Sequence, residues 1–98
     1  MSRAPHECRD MTELRAEIDR LDDELIRLLA ARAGYIKRAV EIKHATNLPA
    51  YIPERVAQVM QNVKASAERN GADPALVEGL WRALVDWSCR YEKEKLGQ

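Results

Sequence analysis

The chain has 98 residues, enough for one domain with one modest hydrophobic core. Its 16 Lys and Arg residues balance its 16 Asp and Glu residues, which excludes a general nucleic-acid or membrane-surface binder, since such proteins need excess positive charge. No apolar run is long enough to cross a membrane. Residues 1–10 lack the apolar segment of a signal peptide, so we expect a cytoplasmic protein, with these residues as a flexible arm of a single domain 1–98.

The segment from Thr12 to about Ala45 is predicted to be one long helix, because it has no Pro and is apolar at every third or fourth position. Thr12 is expected to cap its first turn. The steps of four and three residues are typical of a helix packed along one seam, formed by Leu14, Ile18, Leu21, Leu25, Leu28, Arg32, Tyr35, Ala39 and Ile42. Such a helix is about 50 Å long, whereas a compact chain of this size has a radius of gyration of about 13 Å. We therefore expect a second chain to cover the seam.

Arg32 occupies a seam position where an aliphatic residue is expected. Because a buried cation without a partner is costly, we expect either a salt bridge, for example to Asp22 or Glu24 of a partner chain, or a bound anion. Lys43 follows 11 residues later near the same face, so Arg32 and Lys43 could hold one small dianion. Arg15 reaches such a ligand only from an antiparallel partner, which would give two sites built from both chains. Taken alone, Arg15 and Lys43 are typical solvated surface residues.

A second helix is predicted to begin at Pro53, after a loop over residues 46–52, because Pro is favoured in the first turn of a helix. Asn70-Gly71 is a typical helix end. The expected buried face consists of Val56, Val59, Met60, Val63 and Ala67.

A third helix is predicted from about Pro74, capped by Asp73, to Lys95. One of its stripes is expected to be core: Leu76, Leu80, Leu84, Trp87 and Tyr91. The neighbouring stripe turns from apolar to polar: Trp81, Val85, Ser88 and Glu92. No segment alternates with the period of a strand. The predicted fold is all-α, with one long and two shorter helices.

Ser88 and Glu92 lie four residues apart, so both are on one helix face and could contact a ligand. Glu54 and Arg55, at the start of the second helix, could close the same site. The alternatives are that Ser88 bonds to its own backbone and that Glu92 belongs to an exposed charged helix end.

The two cysteines and two histidines form no metal-binding or disulfide motif. Cys8 and Cys89 are far apart, and His6 and His44 are isolated. We expect reduced thiols, no metal site and no cofactor.

Several short runs, in this order and spacing, resemble the all-helical chorismate mutases. They are LRAEIDRLD at 14–22, LLAAR at 28–32 with Lys43 eleven residues on, PERV at 53–56, NGADP at 70–74 and VEGL at 77–80. With Pro5, Glu7 and Cys8 they are similar to the isochorismate-pyruvate lyase branch. The resemblance implies an intertwined helical homodimer with two shared sites and no cofactor. It also implies a pericyclic reaction, either chorismate to prephenate or loss of pyruvate from isochorismate to leave salicylate.

The resemblance also implies roles for individual residues. Arg15 from the partner chain and Arg32 would bind the substrate carboxylates. Lys43 would contact a carboxylate and the ether oxygen, where negative charge develops. Glu54 would bind the ring hydroxyl, and Ser88 would lie near it.

Two positions depart from the pattern of many chorismate mutases. Glu92 replaces a Gln that donates a hydrogen bond to the ether oxygen, and a carboxyl group can donate only when it is protonated. Pro53 replaces an arginine, for which Arg55 is a candidate substitute.

The interpretation is a chorismate mutase with Lys43, Glu92 and Arg32 as the catalytic candidates. The enzyme alternatives are an isochorismate-pyruvate lyase and a 4-amino-4-deoxychorismate mutase, all acting on small cyclic dicarboxylates. The alternative of a different class is a helical dimer that serves as an interaction module without catalysis. No nucleic-acid or membrane partner is expected.

Overall fold

The computed structural model describes residues 2–98, which contain helices and no strand. A short 3-10 turn, Pro5–Glu7, precedes three α-helices: α1 at Met11–Thr46, α2 at Pro53–Asn70 and α3 at Pro74–Leu96. The predicted all-α fold, with one long and two shorter helices, is confirmed. The chain divides into two compact units, Met1–Gly34 and Tyr35–Gln98. Met1, the first residue of the expected arm, lies outside the described residues. None of the described helices has the combination of length and apolar character that crossing a membrane requires.

The helix α1 begins at Met11 because Asp10 caps it. The Asp10 Oδ1 atom accepts a hydrogen bond from the Glu13 backbone N–H at 2.9 Å, which satisfies a donor that the first helical turn leaves without a partner. The expectation that Thr12 is the cap is therefore wrong by two residues. Glu13 in turn accepts hydrogen bonds from the Arg9 backbone N–H at 2.9 Å and from Arg9 Nη2 at 2.8 Å.

The Arg9–Glu13 pair makes a small contribution to stability that depends on pH. The hydrogen bonds from the Arg9 side chain and backbone lower the pKa of Glu13 below its ordinary value. A lowered folded-state pKa stabilises the fold above the unfolded-state pKa, and this contribution is lost as the pH falls through the folded-state value. We expect Glu13→Gln to melt at a lower temperature than the wild type near neutral pH, with the difference shrinking as the pH falls through the lowered folded-state pKa of Glu13. Glu68→Gln, at an exposed position of α2, is the control, and an equal pH-dependent loss there would contradict the assignment.

The apolar residues of α1 remain in contact with solvent in the isolated chain. No residue of the helix is buried. Leu25 and Leu28 of the seam are 57% and 67% exposed, and Tyr35 is 78% exposed. The seam therefore has apolar surface available for a second chain.

The ends of α2 and α3 follow their sequence signals. Gly71 caps α2 in the left-handed conformation, with φ of 69°, which a residue without a Cβ adopts at little cost. The Asp73 side chain accepts a hydrogen bond from the Ala75 N–H at 2.9 Å and so caps α3. Both predicted boundaries are confirmed. The two helices pack against each other.

The expected buried face of α2 is confirmed at one position. Ala67 is 3% exposed. The other four predicted residues, Val56, Val59, Met60 and Val63, are only half-buried.

The helix α3 buries a different stripe from the one predicted as core. Leu76, Leu80 and Trp87 are 60%, 54% and 42% exposed, so their assignment to the core is wrong for the isolated chain. The buried residues of α3 are Val85, Ser88 and Glu92. The two stripes are adjacent on the helix, and its rotation in the fold turns the partly polar one inward.

Candidate functional site

The centre of the site is a contact between α1 and α3. The Lys43 Nζ atom lies 2.8 Å from Glu92 Oε1, and the two side chains are 16% and 7% exposed. The Glu92 Oε1 atom is buried and meets no described donor with hydrogen-bond alignment, so the attraction to Lys43 is that of two opposite charges at short range. Low exposure strengthens such an attraction, because little water screens it. The structure thus brings together two residues, 49 positions apart, that were predicted to share a site.

The loop between α1 and α2 provides a second partner for Lys43. The Lys43 Nζ atom donates a hydrogen bond to the Ala50 carbonyl oxygen at 2.8 Å. Ala50 is 2% exposed, and its backbone N–H donates to Gln98 Oε1 at 2.8 Å. No sequence pattern identifies Ala50 and Gln98, because a backbone contact across 48 residues leaves no side-chain signal.

Ser88 lies one helical turn before Glu92 and is 5% exposed. Its hydroxyl donates a hydrogen bond to the Leu84 carbonyl oxygen at 2.9 Å, as the alternative interpretation of this residue predicts. A hydroxyl has a single hydrogen. Donation from Ser88 to a ligand therefore requires this backbone bond to break.

Glu54 and Arg55 occupy the first turn of α2, and both are exposed. The Arg55 Nη1 atom donates a hydrogen bond to Gln58 Oε1 at 2.6 Å, within the same helix. Among the described contacts, neither residue meets the Lys43–Glu92 pair. The role of Glu54 and Arg55 at the site stays a prediction.

The two predicted carboxylate-binding arginines lie in the first unit of the chain, Met1–Gly34, and the other five site residues lie in the second. Arg15 is exposed and Arg32 is half-buried on α1. Their participation in one site stays a prediction.

Cys89 lies on α3 beside a groove in the second unit. The groove is lined by Tyr51, Val56, Val85, Asp86, Cys89, Arg90 and Lys93. Burial raises the pKa of the Cys89 thiol, and the Glu92 carboxylate adds to the effect. The thiol therefore stays protonated at neutral pH, so Cys89 lines the groove but is a poor nucleophile.

Comparison with known proteins extends the resemblance seen in the sequence. Residues 14–93 match the family model described as chorismate mutase type II. The chain belongs to the type II chorismate mutase family. The match includes Lys43 and Glu92 and ends before Gln98.

Three relatives of this type II chorismate mutase family member have different names. The chain is 34% identical to an isochorismate pyruvate lyase of Pseudomonas aeruginosa over 85 residues, which are 87% of this chain and 83% of that protein. It is 33% identical to a 4-amino-4-deoxychorismate mutase of Streptomyces pristinaespiralis over 81 residues, 83% of this chain and 63% of the relative. It is 36% identical to a T-protein of Haemophilus influenzae over 84 residues, 86% of this chain but only 22% of that longer protein.

Proposed function

We propose that the protein is a chorismate mutase, which converts chorismate to prephenate in a site shared between two copies of the chain. The observation that carries the proposal is the Lys43 side chain, 16% exposed and 2.8 Å from Glu92, in a chain of the type II chorismate mutase family. We also expect the protein to act in the cytoplasm, without a cofactor.

The proposed reaction is an intramolecular rearrangement. One C–O bond of the ether breaks while one C–C bond forms, so no nucleophile has to attack the substrate. Negative charge develops on the ether oxygen, and a preorganised cation or hydrogen-bond donor at that oxygen lowers the barrier. Lys43 would supply the cation, and Glu92 would donate a hydrogen bond to the same oxygen when protonated.

The remaining predicted residues would bind and orient the dianion. Arg32 and Arg15 of a second copy would each meet a carboxylate, for which the planar guanidinium offers two parallel hydrogen bonds. Glu54 would hold the ring hydroxyl, with Ser88 near it. Arg55 would replace the arginine that many chorismate mutases have at the position of Pro53. Holding the substrate in its compact conformer removes much of the entropic part of the barrier.

The proposed homodimer would cover the exposed seam of α1. A large aliphatic side chain gains about 1.5–3 kcal/mol when fully buried, and Leu21, Leu25 and Leu28 are all more than half exposed. Sedimentation equilibrium of the full chain tests this proposal directly. A monomer at micromolar concentration would rule out a site built from two chains.

The activity is tested by supplying chorismate, isochorismate and 4-amino-4-deoxychorismate separately and identifying the products. Prephenate from chorismate supports the mutase, and salicylate with pyruvate from isochorismate supports a lyase. The lyase is the second candidate, since the Pseudomonas aeruginosa lyase is 34% identical over most of both chains. Conversion of 4-amino-4-deoxychorismate alone would favour the third activity. Failure to turn over or bind any of these cyclic dicarboxylates would favour a non-catalytic dimer.

Arg32→Ala is expected to remove nearly all turnover while the protein stays folded and dimeric. The variant loses a bidentate partner for a substrate carboxylate, and loss of a charge-assisted hydrogen bond costs substrate binding and orientation. Steady-state kinetics, circular dichroism and sedimentation measure these effects. Arg27→Ala is the matched control, because Arg27 is 75% exposed and pairs with Asp23 on its own helix. Wild-type turnover in Arg32→Ala would remove this residue from the site.

A further inference from the structure

Ala50 joins the proposed catalytic lysine to a residue beyond the end of α3. Its carbonyl oxygen accepts a hydrogen bond from Lys43 Nζ, and its N–H donates one to Gln98 Oε1, each at 2.8 Å. Ala50 is 2% exposed, so water has little access to the N–H and carbonyl groups of this residue, whereas Gln98 is exposed. The backbone N–H and carbonyl groups of the buried Ala50 therefore both have a side-chain hydrogen-bond partner.

The C-terminal cap of α3 fixes the position of Gln98. Gly97 adopts the left-handed conformation with φ of 70°, and the Gln98 N–H donates a hydrogen bond to the Lys93 carbonyl oxygen at 2.8 Å. The Gln98 side chain reaches from this cap to the loop that contains Ala50. Glu92 is on the same helix, so α3 reaches Lys43 both directly through Glu92 and indirectly through Gln98.

We propose that Gln98 is a positioning residue for Lys43, an inference that rests on the function proposed above. A lysine ammonium has three donors on a long flexible stem. The Ala50 carbonyl takes one N–H, Glu92 faces the ammonium from α3, and a further N–H remains to be aimed at the ether oxygen of the substrate. If the loop between α1 and α2 moves, the Lys43 ammonium moves with the Ala50 carbonyl oxygen and no longer points toward the ether oxygen. Gln98 holds the loop by the buried N–H of the same residue.

The test compares Gln98→Ala with the conservative variant Gln98→Glu, which keeps an acceptor oxygen for the Ala50 N–H. We expect Gln98→Ala to lower kcat about three- to tenfold with little change in KM, the factor that one modest hydrogen bond is worth. Gln98→Glu should restore most of the loss. Gln61→Ala, at an exposed position of α2, is the matched control and should match the wild type.

A second measurement separates positioning from a purely structural role. Amide hydrogen exchange at Ala50 should be faster in Gln98→Ala and slow again in Gln98→Glu. If the Gln98–Ala50 hydrogen bond served only stability, Gln98→Ala would melt at a lower temperature than the wild type, and kcat of the folded protein would be unchanged. An active wild type with unchanged kcat in Gln98→Ala would overturn the positioning inference alone. A wild type inactive on all three substrates would overturn the proposed function and, with it, this inference.

Discussion

Replacing Lys43 with methionine is expected to lower kcat/KM by about a hundred- to a thousandfold, the usual loss when one preorganised group at a developing oxyanion is removed. Methionine fills a similar volume but has no charge and no donor. Under the proposed mechanism the loss falls mainly on kcat, because the charge on the ether oxygen develops only in the transition state. Stopped or continuous assays of prephenate or salicylate formation would measure it. Lys37→Met, at an exposed position of α1, is the control.

The Lys43 variant also changes the folded protein, so stability has to be measured beside activity. Removal of the Lys43 ammonium leaves the Glu92 carboxylate, whose side chain is 7% exposed, without its cation. Breaking a buried pair in this way costs about 3–5 kcal/mol. The double variant Lys43→Met/Glu92→Gln removes the carboxylate charge and should recover much of the stability without recovering turnover. Wild-type turnover in either variant would exclude Lys43 from the chemistry.

The pH dependence of turnover should reveal Glu92. In the proposed mechanism Glu92 donates to the ether oxygen only when it carries a proton, and an ionised carboxylate there would repel the developing charge. We therefore expect kcat/KM of the wild type to fall as the pH rises.

Glu92→Gln supplies an N–H donor at every pH, so its kcat/KM should stay level where the wild type declines. Profiles of kcat/KM from acid to mildly alkaline pH make the comparison. Glu94→Gln, which removes an exposed acid two residues further along α3, should retain the wild-type profile. Superimposable profiles for the wild type and Glu92→Gln would refute the proposed proton donor.

The sequence predicts the helices of this fold well where local chemistry decides. Pro53, Gly71 and Asp73 act within one turn of the chain, so the helix ends that they mark lie where the sequence predicts them. The start of α1 was misplaced because Asp10 and Thr12 are both good caps. A choice between two candidates only two residues apart depends on the surrounding contacts, which local sequence does not contain.

Tertiary packing explains what the sequence could not predict. The sequence allows either of the two adjacent stripes of α3 to face inward, and the packed fold buries Val85, Ser88 and Glu92. The four-residue spacing of Ser88 and Glu92 indicates that both could contact a ligand, and the resemblance to a family implies the roles of Lys43 and Glu92 at one site. Nothing in the sequence pointed to Gln98, whose described partner across the fold is a backbone N–H.

The two bonds at Ala50 have a consequence for substitutions in the loop. Both involve main-chain atoms, so any small residue with an amide hydrogen could preserve them, and the methyl group of Ala50 matters chiefly for its size. Proline at this position would abolish the donor outright. Substitution of Ala50 by another small residue could thus preserve both backbone hydrogen bonds. A comparison of side chains at this position would not reveal these bonds.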